Sequence, residues 1–167
     1  MVSTLYGKES NSFQTNPFRA AFIKACKATT NNFEGGLLAK SKHPELKTYS
    51  DVITANYVLP NEYLNKVKKS AIVFNTPAVW GCLGWKLGEF LAMGKAIIST
   101  PLHNEMPYQL EHGKNIHFVN TESEIKVAVE RIQNDLSYRR KLEMGAKAYF
   151  DAYLAPEVII KRLIQKK

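Results

Sequence analysis

The sequence predicts an α/β fold, a parallel sheet with helices on both faces. Two apolar runs carry most of this reading. Ala71-Ile72-Val73-Phe74-Asn75 and Ala96-Ile97-Ile98-Ser99 are short, continuous and bounded by turn signals, the pattern of strands buried on both sides. Segments of helical period stand between and around them, and strands alternating with helices indicate βα units. The 167 residues, 45% apolar and 23% charged, suit one domain with a full hydrophobic core.

Each element follows from local signals. Residues 1–16 are rich in Ser, Thr, Asn and Gln and are expected to form a flexible segment. Pro17 suits the first position of a helix, and Phe18, Ala21, Phe22 and Ala25 recur at helical spacing through Lys27. Phe33 to Ala39 reads as a short strand with a glycine pair, and residues 40–52 as loop. Val52 to Val58 reads as a strand by β-propensity. Pro60 to Lys69 is a helix with Tyr63, Leu64 and Val67 inward. After the strand 71–75 come a glycine-rich turn, an apolar helix and the strand 96–99. Pro101 to Gly113 is loop with one helical turn, and Asn115 to Val119 a short strand. Thr121 and Glu124 form a capping box before a helix whose inward face is Ile125, Val129 and Ile132. A second helix covers Ser137 to Tyr149, and Pro156 opens a last one with Val158, Ile159, Leu163 and Ile164 apolar. The organisation is thus a flexible segment 1–16, a domain 17–155 and a C-terminal helix 156–167.

The formal net charge is +8, from 23 basic and 15 acidic residues. The basic residues are scattered in pairs and triplets, the pattern of solvated helix faces. Of the polyanions, a weak electrostatic hold on the cytoplasmic face of a membrane fits best. No groove-reading helix or RNA motif appears, so nucleic acid is not an expected partner. Two cysteines, no signal-peptide core and no membrane-length apolar run point to the cytoplasm. His43, His103, His112 and His117 show no ligand spacing, so no metal site is expected. Cys82 has no identifiable partner base for a nucleophilic role.

The most informative segment is Gly81 to Pro101. Lys86 and Glu89 sit three residues apart in an otherwise apolar helix, where charges are rare unless paired or holding a ligand. Gly81 and Gly84 precede them, and free N–H groups at a helix start favour an anion. The place offers a phosphate seat beside a carboxylate that accepts hydroxyl hydrogens, which suits a nucleotide with a diphosphate and a ribose. In open parallel sheets, ligands bind outside the carboxyl ends of the strands. The glycine turn and the loop Thr100 to Glu105 are both such carboxyl-end loops, and they face one crevice if their strands are neighbours. The glycine spacing is neither a dinucleotide fingerprint nor a P-loop, since Leu83 holds the second glycine position and Ala96 follows Gly94-Lys95. Gly88 costs ~1 kcal/mol relative to Ala within a helix, which close approach by a neighbouring chain or a ligand would explain. Trp80 and Trp85 flank the turn and are read as packing residues ahead of a stacking role.

The order of these elements from about Ser70 to Tyr149 resembles the C-terminal, donor-binding domain of GT-B-type glycosyltransferases of the group 1 class. The resemblance rests on Leu83-Gly84, Glu89, Ala92-Met93-Gly94, Ala96-Ile97-Ile98, Asn104-Glu105, the stretch Glu111 to Val119, and Asp135 to Ala146 with Arg139 and Leu142 between. It implies a Rossmann-like half of a GT-B fold and a hexosyltransferase-type enzyme acting in synthesis of a cell-surface polysaccharide or glycolipid. Glu89 would bind the ribose hydroxyls of a nucleotide-diphosphate sugar. Gly81, Cys82, Leu83 and Gly84 would meet the diphosphate or sugar, and Pro101, Asn104 and Glu105 would lie nearby. Lys86 would stabilise the leaving diphosphate as the catalytic residue, without a metal or other cofactor. Retaining members carry a Glu at the position that is Gly81 here. The basic pair that many members place early in the domain has no clear match before Ser70, with Arg19, Lys40 and Lys42 as candidates. A complete enzyme has two such domains, so the acceptor would be held by a missing domain or a partner chain, and transfer by this chain alone is not expected. A non-catalytic nucleotide-binding module on the same fold is the alternative. The base, sugar, acceptor, linkage, stereochemical class and oligomeric state are not readable from the sequence.

Overall fold

Two parallel sheets form the frame of the molecule, a computed structural model that describes residues 2–7 and 15–165. In the first, β1 (Val2–Thr4) pairs with β2 (Gly36–Leu38), and Ile53 adds an isolated parallel bridge to Leu37. In the second, β3 (Ile72–Asn75), β4 (Ala96–Ser99) and β5 (His117–Phe118) lie in that order. Among the described residues no strand pairing joins the two sheets. The helices are α1 (Thr15–Thr29), α2 (Pro60–Lys69), α3 (Trp85–Ala92), α4 (Glu122–Asn134), α5 (Leu136–Tyr153) and α6 (Pro156–Gln165).

Strand alternation divides the core. Phe74, Ala96 and Ile98 face α1 and α4, where Phe22 stacks on Phe74 with ring centroids 4.8 Å apart. Val73 and Ile97 face the other way, against Val67 of α2 and Leu87, Phe90 and Leu91 of α3. Both faces are thus covered, as the uninterrupted apolar runs require. Helix α5 serves both layers, with Tyr138 and Leu142 in one core and Ala146 and Tyr149 in the other. It passes so close to the Lys114–Asn115 backbone that a Cβ on Gly145 would lie 2.1 Å from the Lys114 carbonyl oxygen.

Several sequence expectations need correction. Val2–Thr4, within the segment expected to be flexible, is a strand, because its backbone pairs with Gly36–Leu38 far along the chain. Residues 1 and 8–14 lie outside the described residues. The strand expected over 52–58 shrinks to the Ile53 bridge and the Thr54 N–H bond to Leu37. Tyr57 is exposed, so its β-propensity finds no half-buried surface to cover. The capping box expected of Thr121 and Glu124 does not form: Glu124 accepts from the Asn120 N–H, one residue before the N-cap, at 2.8 Å, and the Thr121 hydroxyl meets Ser123 instead of the backbone. Asp135 caps α5 through the Tyr138 N–H at 2.9 Å. Residues 101–113 contain no helical turn. Among the described residues no helix is long and apolar enough to cross a membrane.

Candidate functional site

Ligands of open parallel sheets bind outside the carboxyl ends of the strands, and the carboxyl ends of β1 and β3, in separate sheets, are brought together here. Arg19 of α1 spans that place. Its Nη1 donates to the Thr4 carbonyl at 2.8 Å and its Nε to Thr76 Oγ1 at 3.0 Å, so one side chain joins the ends of β1 and β3. The guanidinium is buried, and it packs over the Tyr6 ring at 4.5 Å. Its hydrogen-bond partners among the described residues are neutral. Burial lowers its pKa. Beside it, Asn75 donates to Ser99 Oγ, Ser99 donates to the Thr100 carbonyl, and Thr100 Oγ1 is buried without a partner among the described residues. A buried polar edge of this kind costs stability unless something completes it.

The loop after β3 turns through two left-handed residues, Trp80 (φ 58°) and Gly81 (φ 73°), closed by hydrogen bonds between Ala78 and Cys82 and between Cys82 and Val79. Gly84 then stands at the N-cap of α3 with no side-chain cap, and its carbonyl accepts from the Leu87 N–H at 3.1 Å. A Cβ on Gly81 would come within 3.5 Å of His103. The glycine turn and the loop after β4 therefore meet, as the neighbouring strands β3 and β4 require.

Lys86 and Glu89 of α3 are both half-buried and turned toward this edge. Lys86 Nζ lies 3.4 Å from Ser3 Oγ on β1 and 5.3 Å from the centre of the Tyr63 ring of α2. Burial, then the charge of Arg19, pulls its pKa down to about 8, against the opposing pull of Glu89. Burial raises the Glu89 pKa, while Lys86 draws it back. Glu89 Oε2 and the Tyr63 hydroxyl are both buried and lack hydrogen-bond partners among the described residues. Burial and the nearby Glu89 charge raise the Tyr63 pKa. Two cations, one carboxylate and one phenol thus converge beside an uncapped helix start. Beyond His103, the same loop borders an open cavity of about 540 Å³, lined among others by Pro101, Asn104, Glu105, Met106, Phe118 and Asn120.

No protein-family model matches the sequence, and no curated protein matches it. Solved structures do. The C-terminal domain of LpcC, a group 1 family glycosyl transferase from Francisella tularensis, matches at 15% identity and a TM-score of 0.57, over 90% of this chain and 84% of that one. A glycosyltransferase from Rickettsia africae matches at 13% identity and a TM-score of 0.65, over 98% of this chain and 46% of that one. This chain has the fold of a group 1 glycosyltransferase C-terminal domain. Sucrose-phosphate synthase from Thermosynechococcus elongatus, at 17% identity and a TM-score of 0.64, is covered over 43% of its length. The chain thus spans under half of these two larger proteins. A UDP-N-acetylglucosamine 2-epimerase also matches, at 14% identity and a TM-score of 0.53, so the Rossmann-like GT-B half hosts more than one chemistry.

On this GT-B half, the residues singled out from sequence fall into two groups. Gly81, Cys82, Leu83, Gly84, Lys86 and Glu89 cluster at the carboxyl edge of β3, and Pro101, Asn104 and Glu105 border the cavity beyond β4. His103, next in sequence to Asn104, lies beside Gly81. Gly88 has nothing within 4 Å of an added Cβ, so no neighbouring segment of the described chain accounts for it. Trp80 and Trp85, read as packing residues, are 70% and 69% exposed. Trp85 meets the Tyr63 ring at 6.1 Å and otherwise projects beside the site. Sequence reading left Arg19 as one of three basic candidates, and it took Tyr63 for core and missed Ser3. A helix-borne Arg four residues before a buried Ile carries no local signal of its role. Among the described residues no group of three or more His, Cys, Asp or Glu side chains is placed to hold a metal.

Proposed function

We propose that the chain is the donor domain of a glycosyltransferase, binding a nucleotide-diphosphate sugar for transfer to an acceptor held by another domain or a partner chain. One observation carries the reading. Arg19 and Lys86, two cations drawn out of water, lie with Glu89 near the carboxyl ends of β1 and β3, which Arg19 joins. A diphosphate would interact favourably with both cations, and the first-turn amides of α3 would add to its hold. Glu89 would accept the ribose hydroxyls, and Lys86 would stabilise charge on the leaving diphosphate without a metal or cofactor. Pro101, Asn104 and Glu105 would lie near the sugar. The reading places the chain in the cytoplasm, and its charge of +8 suits weak contact with an anionic membrane face.

Calorimetry with UDP, GDP and ADP and their sugars tests this. One nucleotide is expected to bind, and Glu89→Ala is expected to weaken it roughly tenfold to a hundredfold. Equal affinity in the variant removes Glu89 from the site. A second reading, a nucleotide-binding module without transfer activity, has one specific observation in its favour. Gly81 takes a left-handed conformation and lacks the carboxylate that retaining relatives carry there. Nucleotide binding without transfer, even with the missing domain supplied, would favour it.

A further inference from the structure

The loop after β4, residues 101–110, supplies most of the cavity's lining, yet little of its backbone is tied down. Among the described residues it makes one hydrogen bond, accepted by the Tyr108 carbonyl from the Tyr149 hydroxyl of α5 at 2.6 Å. Leu102, Met106 and Leu110 pack on the core. The Tyr108 ring instead stacks on Tyr153, the last residue of α5, with centroids 3.9 Å apart. The guanidinium of Arg162, on α6, lies 5.1 Å from the Tyr108 ring centre and 5.6 Å from that of Tyr153. Its Nη2 donates to the Ala152 carbonyl at 3.4 Å. One loop residue is thus gripped by both terminal helices.

Helix α6 is itself weakly held. None of its described residues is buried, and Ile159, Ile160, Leu163 and Ile164 are exposed. At ten residues it is too short to stand on helix propensity alone. Among the described residues, Arg162 is the α6 side chain that makes a hydrogen bond and ring contacts with the body. We propose that Arg162 and Tyr108 form a latch through which α6 fixes the loop after β4. With α6 wound, the guanidinium covers two tyrosine rings while the Tyr108 carbonyl sits on the Tyr149 hydroxyl, so the loop is pinned two residues before buried Leu110. When α6 unwinds, the guanidinium returns to water and the ring pair loses its cation. The loop then keeps one hydrogen bond against the conformational entropy of an irregular segment. The order of the surface that carries Pro101, Asn104 and Glu105 therefore follows the state of α6. Arg162 is a positioning residue, acting on the cavity through Tyr108. Any effect on a donor rests on the donor-domain reading, whereas the latch itself does not.

The test is backbone amide relaxation of the labelled, unliganded full chain at the loop residues, with chymotryptic cleavage after Leu102 as a second readout. In the wild type the loop is expected to be ordered. Arg162→Ala is expected to take its order parameters below about 0.6 and to speed cleavage about threefold to tenfold. Arg162→Lys keeps a cation within reach of the rings and should restore most of the order, which loss of bulk packing alone would not predict. Ile160→Pro breaks α6 without altering the Arg162 side chain and should loosen the loop as Arg162→Ala does. Ile160→Lys, at the same exposed position, keeps the helix and should leave the loop as in the wild type. A loop unchanged in both Arg162→Ala and Ile160→Pro, with the melting temperature retained, overturns the latch. Equal loosening in Ile160→Lys overturns it too. If Ile160→Pro fails to fold, the Arg162 pair decides alone. None of these readouts uses a nucleotide, so the latch and the donor reading fail separately.

Discussion

If Lys86 meets a diphosphate, the pH dependence of nucleotide binding should report it. The lysine lies under α3 with its ammonium near Ser3 and the Tyr63 ring, and burial with the Arg19 charge brings its pKa to about 8 from the usual 10.5. A bound diphosphate favours the charged form, so above about pH 8 binding must take up a proton. Affinity should hold steady up to that point and then fall by roughly tenfold per pH unit. The ligand contributes no slope of its own there, since its last phosphate ionisation, with a pKa of about 6, is complete. Calorimetry between about pH 7 and pH 9.5 at fixed ionic strength reads this directly. Lys86→Met should bind about tenfold to a hundredfold more weakly at neutral pH and lose the slope, whereas Lys86→Arg should keep binding at high pH. The unliganded protein carries the opposite sign. Between pH 8 and 10.5 the unfolded chain holds the proton that the native lysine has lost, so stability rises with pH in that window. After discounting for its partial exposure, the gain is on the order of 2 kcal/mol. Wild-type affinity that stays flat across the range, or a Lys86→Met variant with the same slope, refutes a lysine–diphosphate contact.

Two further predictions concern the frame that holds the site. His117 is buried, accepts or donates at 2.7 Å with the Tyr138 hydroxyl, and has its pKa pushed down to about 4 by burial and by the charges of His112 and Arg131 against Glu124. The unfolded chain binds that proton first, so stability should fall by on the order of 2–3 kcal/mol as pH drops from 6.5 to about 4. Denaturant unfolding at both ends of the range measures the loss, and His117→Gln should flatten it; an unchanged slope in the variant would assign the acid sensitivity elsewhere. Gly145→Ala would gain ~1 kcal/mol of helix propensity but place its Cβ 2.1 Å from a backbone oxygen, for a net loss of about 2 kcal/mol. A higher melting temperature in that variant would contradict the close packing of α5 on Lys114.

What the sequence disclosed was whatever local pattern determines. The runs in β3 and β4 are buried on both faces, as short continuous apolar runs bounded by turns suit. The i, i+4, i+7 face of Ile125, Val129 and Ile132 likewise has one use, and all three are buried. From these followed the meeting of the glycine turn with the loop after β4, which the Gly81–His103 contact bears out. What escaped depends on pairing at a distance. Val2-Ser3-Thr4 is short and mostly polar, and only its partner 34 residues on makes it a strand. Arg19 sits among apolar residues of α1 as any snorkelling arginine would, and its bond to Thr76 spans 57 positions. The expectation for 52–58 failed for the complementary reason, since β-branched residues form a strand when a neighbour and a core await them, and beyond Ile53 neither does.

The two cations at the carboxyl edge are not equivalent, and the difference decides how the edge would handle an anion. Arg19 stays charged at every pH of interest, and two of its donors are committed to Thr4 and Thr76. It therefore acts on a ligand largely through its field, while holding β1 against β3. Lys86 feels that same field as repulsion, which together with burial brings its proton affinity toward neutrality. A diphosphate bound as proposed would reverse the balance at Lys86, because its negative charge would answer both cations. Burial first, and the fixed guanidinium second, set the threshold at which the lysine becomes a cation, and a bound diphosphate would carry the lysine across it. Arg19→Met should consequently raise the Lys86 pKa even as it loosens the contact between the two sheets, which separates the electrostatic part of the arginine's role from the structural part.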